Sequence, residues 1–168
     1  MKSKLAVMVA LACASSQVVA VEPQSIQTSS GFDITPLLTT GLKHDDNVAS
    51  TSANEIDSWI MTVVPSVKAV LDDGVSKTEL TAAVANGTYF DSSADNFTDT
   101  FVGGLFDTQL SEQGKFNAKA DFVWGHEDRG TGITEGLSND QDEPTRFNNQ
   151  TVSGYYEYGA KAWSLIHI

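Results

Sequence analysis

Residues 116–127 read FNAKADFVWGHE, and their side chains sort into two surfaces with a period of two. Phe116, Ala118, Ala120, Phe122 and Trp124 share one parity. Asn117, Lys119, Asp121 and Glu127 share the other, with Val123 and Gly125 diluting the polar set and His126 the apolar one. The stretch predicts an extended strand that is apolar on one side and charged on the other. Two environments select such a strand: a soluble sheet facing a core, and a barrel wall between lipid and water.

The neighbouring stretches repeat the pattern. Ser111-Glu112-Gln113-Gly114 predicts a tight turn, and residues 97–110 before it place Val102, Phe106 and Leu110 opposite Asp99, Asp107 and Gln109. Residues 75–90 set Leu80, Ala82, Val84 and Phe90 against Lys77, Glu79 and Thr81. Asp72-Asp73-Gly74 is a hairpin signal, because Asp-Gly tolerates the positive φ angles of a tight turn. Residues 58–71 carry Trp59, Met61, Val63, Pro65, Val67, Ala69 and Leu71 on one face, with Thr62, Ser66 and Lys68 opposite, and are long enough to cross a hydrocarbon layer when tilted. In 32–43, Ile34, Pro36, Leu38 and Leu42 share a parity. Pro36 lacks a donor and argues for an edge or bulge position. Downstream, 128–150 reads as a long polar loop, and 151–162 as a last strand setting Val152, Tyr156 and Tyr158 against Ser153, Glu157 and Lys161.

Connection lengths alternate between long or medium (44–57, 91–96, 128–150) and short (72–74, 111–114). In an up-and-down antiparallel sheet all the short turns then lie at one end. That is the asymmetry of a bacterial outer-membrane barrel. Trp59, Tyr89, Phe90, Phe97, Phe101, Trp124, Tyr155 and Tyr156 are expected at the long-loop end, where an interfacial girdle belongs. The expected fold is all-β: an antiparallel up-and-down meander of about six strands over 32–162, forming an incomplete transmembrane β-barrel. Lys68, Lys77, Glu79, Asp99, Asp107, Asn117, Lys119 and Asp121 would face the lumen. Met61, Val63, Val67, Leu80, Val84, Val102, Phe106, Phe116, Phe122 and Trp124 would face lipid.

The totals agree with an exported protein. Two lysines, an apolar run over 5–14 and small residues ending at Ala20 predict a signal peptide over 1–20, followed by a serine-rich tether over 21–31. Cleavage after Ala20 removes Cys13, the only cysteine, so neither disulfides nor thiol chemistry are expected. With 22 acidic against 10 basic residues and a net charge of −12, attraction to nucleic acid phosphates is excluded as a function class.

Chemistry-bearing clusters are sparse. His44-Asp45-Asp46 and His126-Glu127-Asp128 lack the ligand spacing of a zinc site, and Asn139-Asp140-Gln141-Asp142-Glu143 lacks the glycine and distal glutamate of a calcium loop. Gly130-Thr131-Gly132 sits in a loop with no strand-to-helix setting for a phosphate. No nucleophile motif is evident, so the expectation is a non-enzyme with no cofactor and no resident metal. The Asn-X-Thr triplets at Asn86, Asn96 and Asn149 are read as chance.

Several short motifs in order resemble the β-barrel porin 2 family of outer-membrane proteins: Asp45-Asp46-Asn47, Thr62-Val63-Val64-Pro65-Ser66-Val67, Tyr89-Phe90, Asp95-Asn96-Phe97-Thr98-Asp99, and Trp124-Gly125-His126-Glu127-Asp128-Arg129-Gly130. The resemblance covers most of the mature chain. It implies an outer-membrane barrel associated with capsule or exopolysaccharide gene clusters, with outer-membrane lipid, lipopolysaccharide, the assembly machinery and polysaccharide as partners. It transfers no catalytic residue. Six strands are fewer than the about eight that close a membrane barrel. The chain is therefore expected to be the N-terminal portion of a longer protein, with 163–168 a truncated or frameshifted tail. The competing expectation is a soluble periplasmic or secreted β-sandwich that binds a ligand through its long loops.

Overall fold

The computed structural model describes residues 23–136 and 141–159. The segment expected to be a signal peptide (1–20) and the expected tail (163–168) lie outside the described residues. The fold is all-β, a single antiparallel sheet in sequence order: β1 (Ile26–Gln27), β2 (Asp33–Asp45), β3 (Ser58–Asp72), β4 (Ser76–Tyr89), β5 (Phe97–Gln109), β6 (Gly114–Glu127) and β7 (Thr145–Tyr158). The sheet is not closed into a barrel. Its two edges are β1 with β2 on one side and β7 on the other. The long strands run 13 to 15 residues, more than the about 9–11 a tilted strand needs to cross hydrocarbon.

Alternation and register together decide the faces. Leu42 lies opposite Met61, Ala69 opposite Leu80, Val102 opposite Phe122 and Ala120 opposite Val152, so apolar parities meet from strand to strand. One slip would turn a whole strand over, and the shared pattern forbids it. Pro36 sits in β2, the edge-side strand, as a residue without a donor requires.

Three details of the expected layout change. Ile26 and Gln27, inside the segment read as a tether, pair with Ile34 and Asp33. The hairpin after β3 is a loop over residues 73–75, with only Gly74 at positive φ (82°), closed by Asp73 N–H donating to the Ser76 carbonyl. Strand β7 begins at Thr145, six residues before the expected start. The polar run Asn148-Asn149-Gln150 reads as loop, yet its backbone pairs with Trp124, Val123 and Phe122, and the Phe147 ring lies where a Gly125 side chain would be.

The earlier start of β7 moves Tyr155 and Tyr156 to the opposite end of the sheet. They pair with Asn117 and Phe116, next to the short turn before β6, and Tyr158 pairs with Gly114. Aromatic residues therefore bracket the apolar face at both ends: Trp59 and Trp124 toward the long loops, Phe116, Tyr156 and Tyr158 toward the short turns. Phe101 lies well inside β5 and on the charged side.

Burial is concentrated at the long-loop end. Among the described residues the buried apolar side chains are Val48, Ala49, Ile60 and Tyr89, with Phe97 packed against this cluster. Along the middle of the described strands no comparable apolar cluster is buried.

Candidate functional site

Two surfaces and one loop junction carry the polar chemistry. On the first surface, register places Met61, Val63 and Val67 of β3, Leu80 and Val84 of β4, Val102 and Phe106 of β5, and Phe116, Phe122 and Trp124 of β6 on one face. Leu80 is 49% exposed and Trp124 43%, and Met61, Val67, Val84, Val102 and Phe106 are also exposed. The Phe122 and Trp124 rings stack along β6 with centroids 6.3 Å apart.

The opposite face holds Lys68, Lys77, Glu79, Asp99, Asp107, Asn117, Lys119 and Asp121. Their groups are tied to one another. Glu79 is clamped by Lys68 Nζ at 2.9 Å and Lys77 Nζ at 2.6 Å. Asp107 receives Lys115 Nζ at 3.1 Å and the Asn117 amide at 3.3 Å. Lys119 Nζ lies 2.7 Å from Asp121. The carboxylates of this face are less exposed than the leucines and valines of the other, with Glu79 at 20% and Asp121 at 21% side-chain exposure. A protein surrounded by water hides its apolar side; here the apolar side stands open while the carboxylates of the other face are partly sheltered and their lysine partners Lys68, Lys77 and Lys119 stay 44–54% exposed.

At the long-loop end, parity alone stops assigning faces. Pairing between β5 and β6 ends at Thr100 opposite Trp124. Beyond it His126 stacks on Phe97, with centroids 3.9 Å apart, and its Nδ1 lies 2.9 Å from Asp99. Its Nε2 lies 3.3 Å from Asp128, whose carboxylate also accepts from the Tyr89 hydroxyl at 3.4 Å. Phe97 in turn fills the space above Gly87, where a Cβ would come within 2.1 Å of the ring.

Sequence reasoning missed the most buried ion pair among the described residues. Arg129, from the loop after β6, donates through Nε (2.7 Å) and Nη2 to both oxygens of Asp95, which lies in the short 3₁₀ turn Ser93–Asp95 between β4 and β5. The Asp95 side chain is 3% exposed and that of Arg129 11%. Ser92 also donates to Asp95, and Arg129 Nη1 reaches the Gln141 carbonyl at 3.3 Å. The hydrogen bond to Asp95 raises the already high guanidinium pKa further. Arg129 and Arg146 are the only arginines of the chain. That rarity, in an acidic loop, is the signal that could have drawn attention to it.

The other candidate clusters disperse. His44 lies edge-on to Trp59, with centroids 5.0 Å apart, and Asp45 pairs with Lys43 at 2.7 Å and accepts from the Asn47 N–H. Among the described residues no group of three or more His, Cys, Asp or Glu side chains could hold a metal. Asn139 and Asp140 lie outside the described residues. Among those described, no helix is long and apolar enough to cross a membrane, a statement that does not bear on strands.

The arrangement defines a class by architecture: an amphipathic, open antiparallel β-meander whose apolar side stands exposed and whose charged side is internally paired. Comparison with protein-family models, curated proteins and solved structures found no match to this chain.

Proposed function

We propose that the chain forms part of the wall of an outer-membrane β-barrel, porin-like or structural rather than enzymatic, with its apolar face on lipid and its charged face on a water-filled interior. The observation that carries this reading is the inversion of burial: Leu80, Val102 and Trp124 stand exposed while Glu79, Asp107 and Asp121 are partly sheltered. Strands of 13 to 15 residues, aromatic residues at both ends of the apolar face, and short turns at one end with long loops at the other support it. The motif resemblance adds the partners, which are lipopolysaccharide, the outer-membrane assembly machinery and a surface polysaccharide whose assembly or export the barrel would serve.

Membrane fractionation of the full-length product that carries this chain, followed by gel mobility with and without boiling, tests this reading. A barrel wall sediments with the outer membrane and changes mobility on heating. A wholly soluble, heat-insensitive product would rule out the barrel wall.

A further inference from the structure

The charged face carries an aromatic platform. A Cβ at Gly103 would lie 2.7 Å from Phe101 Cζ and 2.9 Å from Asp121 Oδ1, so the Phe101 ring lies down against its own strand beside the Asp121 carboxylate instead of standing away from the sheet. Ala83, directly opposite Phe101 on β4, leaves that side of the ring open. Glu79, Thr81, Phe101, Leu105, Lys119 and Asp121 line a depression of about 260 Å³.

The charges around the ring are already satisfied. Glu79 is held by Lys68 and Lys77, and Asp121 by Lys119. An ionic solute entering here would have to compete with a pair at every step. A neutral molecule with many hydroxyls would not, since each hydroxyl donates to a carboxylate or accepts from an ammonium without displacing the partner. The flat apolar surface of Phe101 and Leu105 requires the same molecule to present a C–H face. We infer that this depression is a subsite for a neutral sugar ring, stacked on Phe101 with its hydroxyls on Glu79, Lys119 and Asp121. The inference deepens the wall reading, in which this face meets solute, but rests on side-chain geometry that does not require a closed barrel.

Calorimetric titration of the full chain in detergent with maltohexaose, a polyethylene glycol of matched mass and hexagalacturonate tests it. Saturable binding of maltohexaose is expected, about tenfold weaker in Phe101→Ala and within about twofold of the parent in Phe101→Tyr, which keeps the ring. Gly103→Ala, which forces the ring off the sheet, should weaken binding without removing any contacting group. Absence of maltohexaose binding overturns the subsite, and so does equal affinity in Phe101→Ala or equal binding of the polyether or the polyanion. Heat-modifiable mobility measured on the same samples keeps the two readings apart: a mobility shift without sugar binding rejects the subsite alone, and binding without a shift rejects the wall alone.

Discussion

The long-loop end and the body of the sheet follow opposite packing rules within one chain. At the loop end, Val48, Ile60 and Tyr89 are buried against Phe97, and a buried Asp95 is matched by Arg129, as in the interior of a small soluble protein. In the body, apolar side chains stand exposed and the charged ones are paired with one another, their carboxylates partly sheltered. The difference teaches that the loop junction can hold itself together with contacts it makes internally. The body depends on something outside it to cover its apolar face.

Removing one partner of the buried pair should show the largest effect. Arg129→Ala leaves the Asp95 carboxylate, 3% exposed, without its bidentate partner, a change that costs about 3–5 kcal/mol when a buried charge is stranded. Urea unfolding combined with limited proteolysis of the two loops would check this. A loss below about 1 kcal/mol would mean that the junction is solvated rather than packed. Next in size is a charge placed on the body. Ala120→Arg, between Gly104 and Val152 on the apolar face, should cost about 2–4 kcal/mol when the protein folds into lipid vesicles, whereas Asn117→Arg on the other face should be much milder. Equal costs at the two positions would erase the distinction between the faces.

Glycine substitutions sharpen the comparison further. At Gly87 an added Cβ meets the Phe97 ring at 2.1 Å, so Gly87→Ala must push the ring out of the loop-end cluster at about 1–3 kcal/mol. At Gly41, in the body, nothing lies within 4 Å, and Gly41→Ala should be neutral or stabilising by about 0.4–1 kcal/mol. Paired thermal melts would test both. A similar response at the two sites would contradict the packing described here.

The same contrast explains what the sequence made legible. The body is written in alternation: Phe116 to Trp124 and the lysines and carboxylates interleaved with them separate two faces with no knowledge of the partner strands, and the register of the structure keeps the two parities on opposite faces from strand to strand. The loop junction is not periodic. Asp95 and Arg129 lie 34 positions apart, and nothing local to either reveals the other. The start of β7 was hidden for a different reason. Thr145 to Gln150 has the composition of a loop, and it becomes strand because Gly125 leaves a hole that Phe147 fills and because the β6 backbone needs a partner there.

The smallest effect is expected at the turn between β3 and β4, where a carboxylate does by exposed hydrogen bonds what Asp95 does by a buried ion pair. Asp73 Oδ1 accepts from the backbone N–H groups of Ser76 (2.6 Å) and Val75 (2.9 Å), and these bonds hold its carboxyl below the ordinary aspartate range. A folded-state pKa that is depressed contributes stability fully present above the unfolded value of about 3.9 and lost as pH falls through the folded value. Acidification should therefore release the Val75 and Ser76 amides as pH falls through the depressed Asp73 value, and Asp73→Asn should remove that step. Amide hydrogen exchange at Val75 and Ser76 across an acid titration gives the measurement. A midpoint at or above the ordinary aspartate value would show that the turn is held by Gly74 at φ 82°, by the Gly74 N–H bond to the Asp72 carboxylate and by the Asp73-to-Ser76 backbone bond. The Asp73 carboxylate would then contribute nothing to the hairpin.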